Sequence, residues 1–267
     1  MGTIDGGLGE GLRGKFDGLS FYKMRGVDKT IVRKSGGHSK DKIKYDPDLD
    51  QFRRAGSEFG GRATTAKFIM GALYYHKPLA DYNIAGPLIA LLKPVQERDL
   101  VSELGARNVY LSANTHYLKG FSLNRQHPFD SVIRYPVTGT LNREELNASV
   151  QFPELIPQVN FIPPVTLPYY SLRIGLGVVP DIVRDPKRYV PVHPDYSSIC
   201  AVYADTAWLP LLQGAEAREV KIQYDLRPPD NNFTLVLTVG IRYGIVKDIN
   251  QIRQAPYVGS AKVLEVG

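Results

Sequence analysis

Cysteine is almost absent. Cys200 stands alone among 267 residues, so no internal disulfide can form and a reducing compartment suits the chain. Long apolar runs are missing as well: the longest, Ile84–Leu92, is interrupted by Gly86 and Pro87 and is too short to cross a bilayer. The N-terminus is rich in glycine, carries Asp5 and Glu10, and has no apolar core of a signal peptide, so classical secretion is not encoded. Gly2 invites a myristoylation reading, but Gly6 stands where Ser or Thr is needed.

The familiar catalytic spacings are lacking too. His38, His76, His116, His127 and His193 are scattered without metal-ligand spacing. There is no Gly-x-Ser-x-Gly elbow and no His-Glu-x-x-His. Cys200 lies between Ile199 and Ala201-Val202 and reads as a core thiol rather than a nucleophile. Glu144, Glu145 and Asp205 read as solvated acids on turns. No catalytic, cofactor-binding or metal-ligating residue is assigned, and the expectation is a protein that is not an enzyme. A site assembled from residues distant in sequence stays open as an alternative.

What is present is an ordinary globular composition, 43% hydrophobic and 22% charged, in a chain long enough for one large or two modest cores. Its charge is unevenly placed. Residues 13–44 carry ten Lys or Arg against three Asp, a net +7 in a chain whose total is +6. Within that segment Leu19–Arg25 and Lys29–Lys34 read as two strands joined by turn chemistry at Arg25-Gly26-Val27-Asp28. Tyr22 and Met24 face one way and Phe21, Lys23 and Arg25 the other. On the second strand Ile31 and Arg33 oppose Thr30, Val32 and Lys34. A lone two-stranded ribbon is marginal in water, so this one needs something to dock on.

Residues 1–13 read as a flexible or partner-ordered glycine arm. Gly9-x-Gly11-x-x-Gly14 fits the dinucleotide spacing and Gly9-x4-Gly14-Lys15 fits most of a phosphate loop. Both need a strand before and a helix after, so that backbone N–H groups cradle phosphate. Here nothing precedes, a strand follows, and Phe16 replaces the Ser or Thr of a phosphate loop, so both readings are rejected.

After a polar loop at Gly36-Gly37-His38-Ser39, Asp46-Pro47 is an N-cap followed by proline at the first helical position. Asp46-x-Asp48-x-Asp50 imitates a calcium loop, yet Gln51 and Ser57 stand where Gly and Glu are required, so capping is preferred. Phe52, Ala55, Phe59, Ala63 and Ala66 keep helical spacing, with Gly60-Gly61 marking either a close helix contact or two helices. Two shorter helices are expected, one from Pro87 and one after Pro94 ending at Gly105.

Beyond Gly105 the pattern changes. Eleven of nineteen prolines fall between Pro128 and Pro194, which favours strands with restrained connections. Tyr170–Val178, Val220–Tyr224 and Phe233–Ile245 alternate in strand fashion, the last two pairing as a hairpin, and Tyr257–Val266 supplies a closing strand. The expected fold class is α+β: an N-terminal basic ribbon and short helices, followed by an antiparallel, immunoglobulin-like sandwich. The expected organisation is 1–45 arm and ribbon, 46–105 helical segment and 106–267 sandwich.

Four pieces, Gly14-Lys15, Lys23-Met24-Arg25-Gly26, Ile31-Val32-Arg33-Lys34 and the run Tyr257 to Val263, carry a resemblance. The chain resembles an uncharacterised family of Bacteroidetes-type bacteria and their phages. That family has a Gly-Lys ribbon, a helical segment and a β-rich, immunoglobulin-like C-terminal part. The likeness covers the two ends better than the middle, and Gly36-Gly37-His38-Ser39-Lys40 replaces the Pro-rich loop usual after the ribbon. It implies a fold and no activity. With no classical signal peptide, a cytoplasmic or virion-associated setting is expected ahead of secretion.

Two binding roles follow from the ribbon. In the first, Phe21, Tyr22, Lys23, Arg25, Lys29, Ile31, Arg33 and Lys34 attach the chain to copies of itself or to a larger protein assembly, by strand addition. In the second, residues 13–44 lie on nucleic acid, cations on phosphates and aromatics stacking on bases. The unmet need of the ribbon for a docking surface favours assembly, with no membrane role and no cofactor.

Overall fold

The computed structural model describes residues 2–4, 12–24, 29–34, 36–248 and 251–267. The turn expected at Arg25-Gly26-Val27-Asp28 lies outside these. The fold is α+β with antiparallel sheets. Two compact units divide the chain, Met1–Ala55 and Gly56–Gly267.

The first unit is built on a four-stranded antiparallel sheet. Its strands are β1 (Gly2–Ile4), β2 (Gly14–Phe16), β3 (Leu19–Tyr22) and β4 (Thr30–Lys34), in the spatial order β1-β4-β3-β2. Both expected ribbon strands are present and pair antiparallel, Phe21 opposite Val32 and Tyr22 opposite Ile31. Residues read as a free arm supply one outer strand, β1, and the other, β2, follows directly after them. The β2–β3 link is a two-residue hairpin turn in which Asp17 (φ 44°) and Gly18 (φ 69°) are both left-handed. An Asp-Gly pair fits that geometry because Gly has no Cβ to clash and Asp tolerates it better than most residues.

A short helix α1 (Lys40–Tyr45) comes next, its first turn closed by Ser39 Oγ accepting from the Lys42 N–H at 3.2 Å. Asp46 then caps the tight turn Pro47–Leu49, its carboxylate accepting from the Asp48 N–H at 3.0 Å. That matches the capping reading of Asp46-Pro47. Arg53 ties the junction, its Nη1 donating to the carbonyls of Ile43 (2.9 Å) and Asp46 (2.7 Å).

Helix α2 (Asp50–Ala72) runs without a break through Gly60-Gly61, so of the two alternatives the close contact holds. A Cβ on Gly61 would stand 2.8 Å from the Tyr189 ring and 3.0 Å from the Gln96 amide. Helix α3 (Ala85–Glu97) replaces the two short helices expected around Pro87 and Pro94. Pro87 sits in its first turn, where the missing N–H has no helical partner to lose. Pro94 lies inside the helix and is tolerated because Leu88, Leu92, Val95 and Gln96 pin that segment in the core.

The strands of the second unit are β5 (Thr138–Asn142), β6 (Asn147–Phe152), β7 (Tyr169–Pro180), β8 (Ile182–Asp185), β9 (Arg188–Pro191), β10 (Ala201–Asp205), β11 (Leu209–Pro210), β12 (Arg218–Gln223), β13 (Phe233–Asp248) and β14 (Gln251–Val266). One sheet has the order β10-β7-β13-β14, with β11 also on β7; a second has the order β12-β6-β5; β8 and β9 form a hairpin. The expected hairpin between Val220–Tyr224 and Phe233–Ile245 is not formed. β12 pairs with β6 in the smaller sheet, whereas both edges of β13 are taken by β7 and β14. The proline-bearing stretch Arg227–Asn232 therefore links two sheets instead of turning within one.

The strand β7 is buried along nearly its whole length, on both faces. Tyr170, Leu172, Ile174, Leu176 and Val178 share one core with Val150, Phe152 and Ile222 of the smaller sheet. A Cβ on Gly139 of that sheet would fall 2.7 Å from Leu237 and 2.8 Å from Leu264, so the sheets pack closely there. On the opposite face, Gly175 and Gly177 make room for the end of α2 and the turn after it. Added Cβ atoms would lie 2.6 Å from the His76 ring and 2.6 Å from Ala72. The helices thus bury Ile69, Leu73, Leu79, Leu88 and Leu92 in the same core as the strands.

Candidate interaction surfaces

The register of the N-terminal sheet sorts its side chains by face, because directly opposed residues point the same way. Lys15, Ser20 and Arg33 form one row and Tyr22 with Ile31 another, all on one face. Phe16, Leu19 and Lys34 form a row on the other face, which Phe21 and Val32 share. Of the residues singled out for interaction, Phe21, Tyr22, Ile31, Arg33 and Lys34 lie in the sheet. Lys23 and Lys29 flank it and are exposed, and Arg25 lies outside the described residues.

Arg33 stands 5.7 Å from the Tyr22 ring centroid, a cation–π contact across the strands. Ile31 is buried, so it contributes to cohesion rather than to an open surface. The exposed apolar residues fall elsewhere. Phe16 is 78% exposed and Leu19 38%, and both lie on the Phe21–Val32 face. Phe16 was visible in the sequence only as the residue that spoils a phosphate loop. The signal that places it on this face is the Asp17-Gly18 hairpin pair beside it.

A second arrangement, in the second unit, joins residues that are distant in sequence. Asp205, at the end of β10, accepts from Arg173 of β7 through both oxygens, from Nε at 2.7 Å and from Nη2 at 2.9 Å. Its Oδ2 also lies 2.8 Å from Nη2 of Arg242 on β13. Each guanidinium rests on an aromatic ring, Arg173 on Tyr203 at 4.6 Å and Arg242 on Trp208 at 4.4 Å. The remaining Nη1 of Arg173 donates to the Tyr75 carbonyl at 2.8 Å, and Arg242 Nε donates to Ser171 Oγ at 3.3 Å. Burial pushes the pKa of Arg242 below the usual guanidinium range; Asp205 works against that shift and Arg173 adds to it.

Read from sequence, Asp205 is a turn acid and Arg173 one polar member of an alternating strand. Only the pairing of β7 with β10 and β13 brings them together: Asp205 opposes Arg173, and Arg242 opposes Ser171. Glu58 and Arg107 make a useful contrast. There one carboxylate holds one guanidinium, at 2.6 and 2.7 Å, and also accepts from the Gly105 N–H at 2.9 Å. Its pKa is lowered chiefly by the Arg107 hydrogen bond. Glu58 accepts from one guanidinium, whereas Asp205 is in contact with two.

His76 lies beneath this cluster, wholly enclosed. Nδ1 is 3.0 Å from Thr238 Oγ1 and Nε2 is 3.4 Å from the Arg173 carbonyl. Burial lowers its pKa to about 4. Comparison with protein-family models, with curated proteins and with solved structures finds no match to the chain.

Proposed function

We propose that the protein is a non-catalytic structural or interaction protein that associates with copies of itself, or docks into a larger assembly, through its N-terminal sheet. The observation that carries this reading is the apolar face made by Phe16, Leu19, Phe21 and Val32, with Phe16 78% exposed. Burying one such large side chain is worth about 1.5–3 kcal/mol, enough to drive association when several are covered together. The outer strands of that sheet, β1 and β2, are three residues each and offer edges for strand addition. We read the second unit as an immunoglobulin-like sandwich, on the face-to-face packing of its two antiparallel sheets. Membership of the Bacteroidetes and phage family, with a cytoplasmic or virion-associated setting, belongs to the same proposal.

Light scattering across a range of concentrations tests it. The wild type is expected to have a mass above that of the monomer, and Phe16→Asp with Leu19→Asp should return it to monomer with an unchanged melt, because both side chains are exposed. A wild type that is monomeric at every concentration, or a double variant of unaltered mass, overturns the reading.

A second reading rests on the opposite face, where Lys15 and Arg33 lie in one row beside Tyr22. Cations next to an aromatic ring are what a nucleic-acid surface offers. If that face binds duplex DNA, Lys15→Gln with Arg33→Gln should flatten the logarithmic salt dependence by roughly 0.9 per lost contact. An unchanged slope removes the face from the interface.

A further inference from the structure

Arg242 is a cation without a carboxylate of its own. Asp205 is already engaged through both oxygens by Arg173, and Arg242 shares only Oδ2. A guanidinium has five N–H donors in a fixed plane. Arg242 Nε donates to Ser171 Oγ at 3.3 Å, and its Nη2 lies 2.8 Å from Asp205 Oδ2. That leaves the edge bearing Nη1 without an acceptor for Nη1 among the described residues. The plane of that edge is set on one side by Trp208, which itself fills the space beside Gly244: a Cβ there would lie 2.8 Å from the indole. The Arg242 side chain keeps 14% of its surface exposed, and Tyr203, stacked on the neighbouring Arg173, is 45% exposed.

We propose that this edge of Arg242, walled by Trp208, is a binding site for a small monocarboxylate. Three features define the ligand class. A carboxylate is planar and spans the two Nη groups with two parallel hydrogen bonds, as Arg173 and Asp205 already do on their side-on edge. One negative charge neutralises the single excess cation of the Arg173–Asp205–Arg242 set. A dianion would leave a surplus negative charge in a half-buried place, where desolvation is costly. The Trp208 indole stacked on Arg242 offers an apolar surface to a short carbon chain.

The site differs from the N-terminal sheet and stands or falls without it. Trp208 is the only tryptophan in the chain, and its ring stacks on the guanidinium in question, so its fluorescence reports on the site directly. Full-length protein is titrated with sodium propionate, replacing chloride at constant ionic strength, with sulfate as the dianion arm. Propionate is expected to give a saturable change in Trp208 emission and sulfate to give none; melting temperature is not used for this comparison, because sulfate stabilises folded proteins without binding. Arg242→Lys keeps the charge but loses the planar edge, and should weaken propionate binding about tenfold or more. Arg242→Gln should abolish the saturable change.

A wild type whose emission does not saturate, or a propionate curve unaltered in Arg242→Gln, overturns the proposal. So does equal or stronger binding of sulfate. Should Arg242→Gln fail to fold, the Arg242→Lys curve and the propionate-over-sulfate preference in wild type decide the matter alone.

Discussion

His76 shows at a single residue how the second unit couples packing to pH. Its ring is held where Cβ atoms on Gly175 and Gly240 would intrude, at 2.6 Å from Cε1 and 2.9 Å from Cδ2. Arg173 on one side disfavours a charged imidazole and Asp205 favours it, but burial outweighs both and sets the folded pKa near 4, against 6.5 in the unfolded chain. A base whose folded pKa is depressed prefers to be neutral in the native state. Its contribution is therefore complete above pH 6.5, is lost as the pH falls from 6.5 towards 4, and changes no further below that. At about 1.36 kcal/mol per unit the loss by pH 4.5 is of the order of 2–3 kcal/mol. Denaturant unfolding of wild type and His76→Gln at pH 7.5 and 4.5 checks this. The wild type should lose that much more stability than the variant between the two pH values, and equal losses would remove His76 as the cause. None of this was legible in the sequence, where His76 is one of five scattered histidines. Its partners Arg173 and Thr238 are far along the chain, so only the finished sheet supplies them.

Elements were more legible than residues. Strand β7 and strand β13 announce themselves by strict alternation of large apolar residues, and both expected ribbon strands form. The small and polar alternate positions of β7 tell less. Ser171, Arg173, Gly175 and Gly177 resemble a solvated face, whereas in the fold all four are buried, the last three where α2 and the turn after it press against them. Glycine there serves close approach rather than a turn. The pairing of β12 was illegible for another reason. Nearness in sequence favours a hairpin with β13, but β13 already has a partner on each edge and β12 completes the smaller sheet. A test at this scale is Gly177→Ala. The new methyl would lie 2.6 Å from both the Cα and the Cβ of Ala72, so helix and sheet must part. The expected cost is about 1–3 kcal/mol, the range for overpacking a close-packed interior. Thermal unfolding of the variant measures it, and an unchanged midpoint would show that α2 does not rest on β7 as described. Gly60→Ala is the control, since nothing lies within 4 Å of that position.

At the scale of the whole molecule the chain divides into a small basic unit with an exposed apolar face and a larger unit with a continuous core. That core begins at Ala66 and contains no residue of the first unit. The sheet of the first unit has four short strands, and in β2, β3 and β4 only Thr30 and Ile31 are buried. Ordering a backbone costs about 1–2 kcal/mol per residue, so such a sheet gains much by being covered. The sequence marked this region by its charge and by a ribbon lacking support. It left the two outer strands unread, because glycine-rich segments have neither alternation nor bulk to announce a strand.

Removing residues 1–44 tests the assembly role most directly, by comparing the mass and the melt of the full chain with those of a chain beginning at Tyr45. The expected result is a truncated protein that still unfolds cooperatively, since every residue of its main core is retained, and that has a smaller mass in light scattering at matched concentration. A full-length chain that is already monomeric, with a truncated form that unfolds or precipitates, would contradict the assembly role: the sheet would then serve this chain's own stability rather than its association.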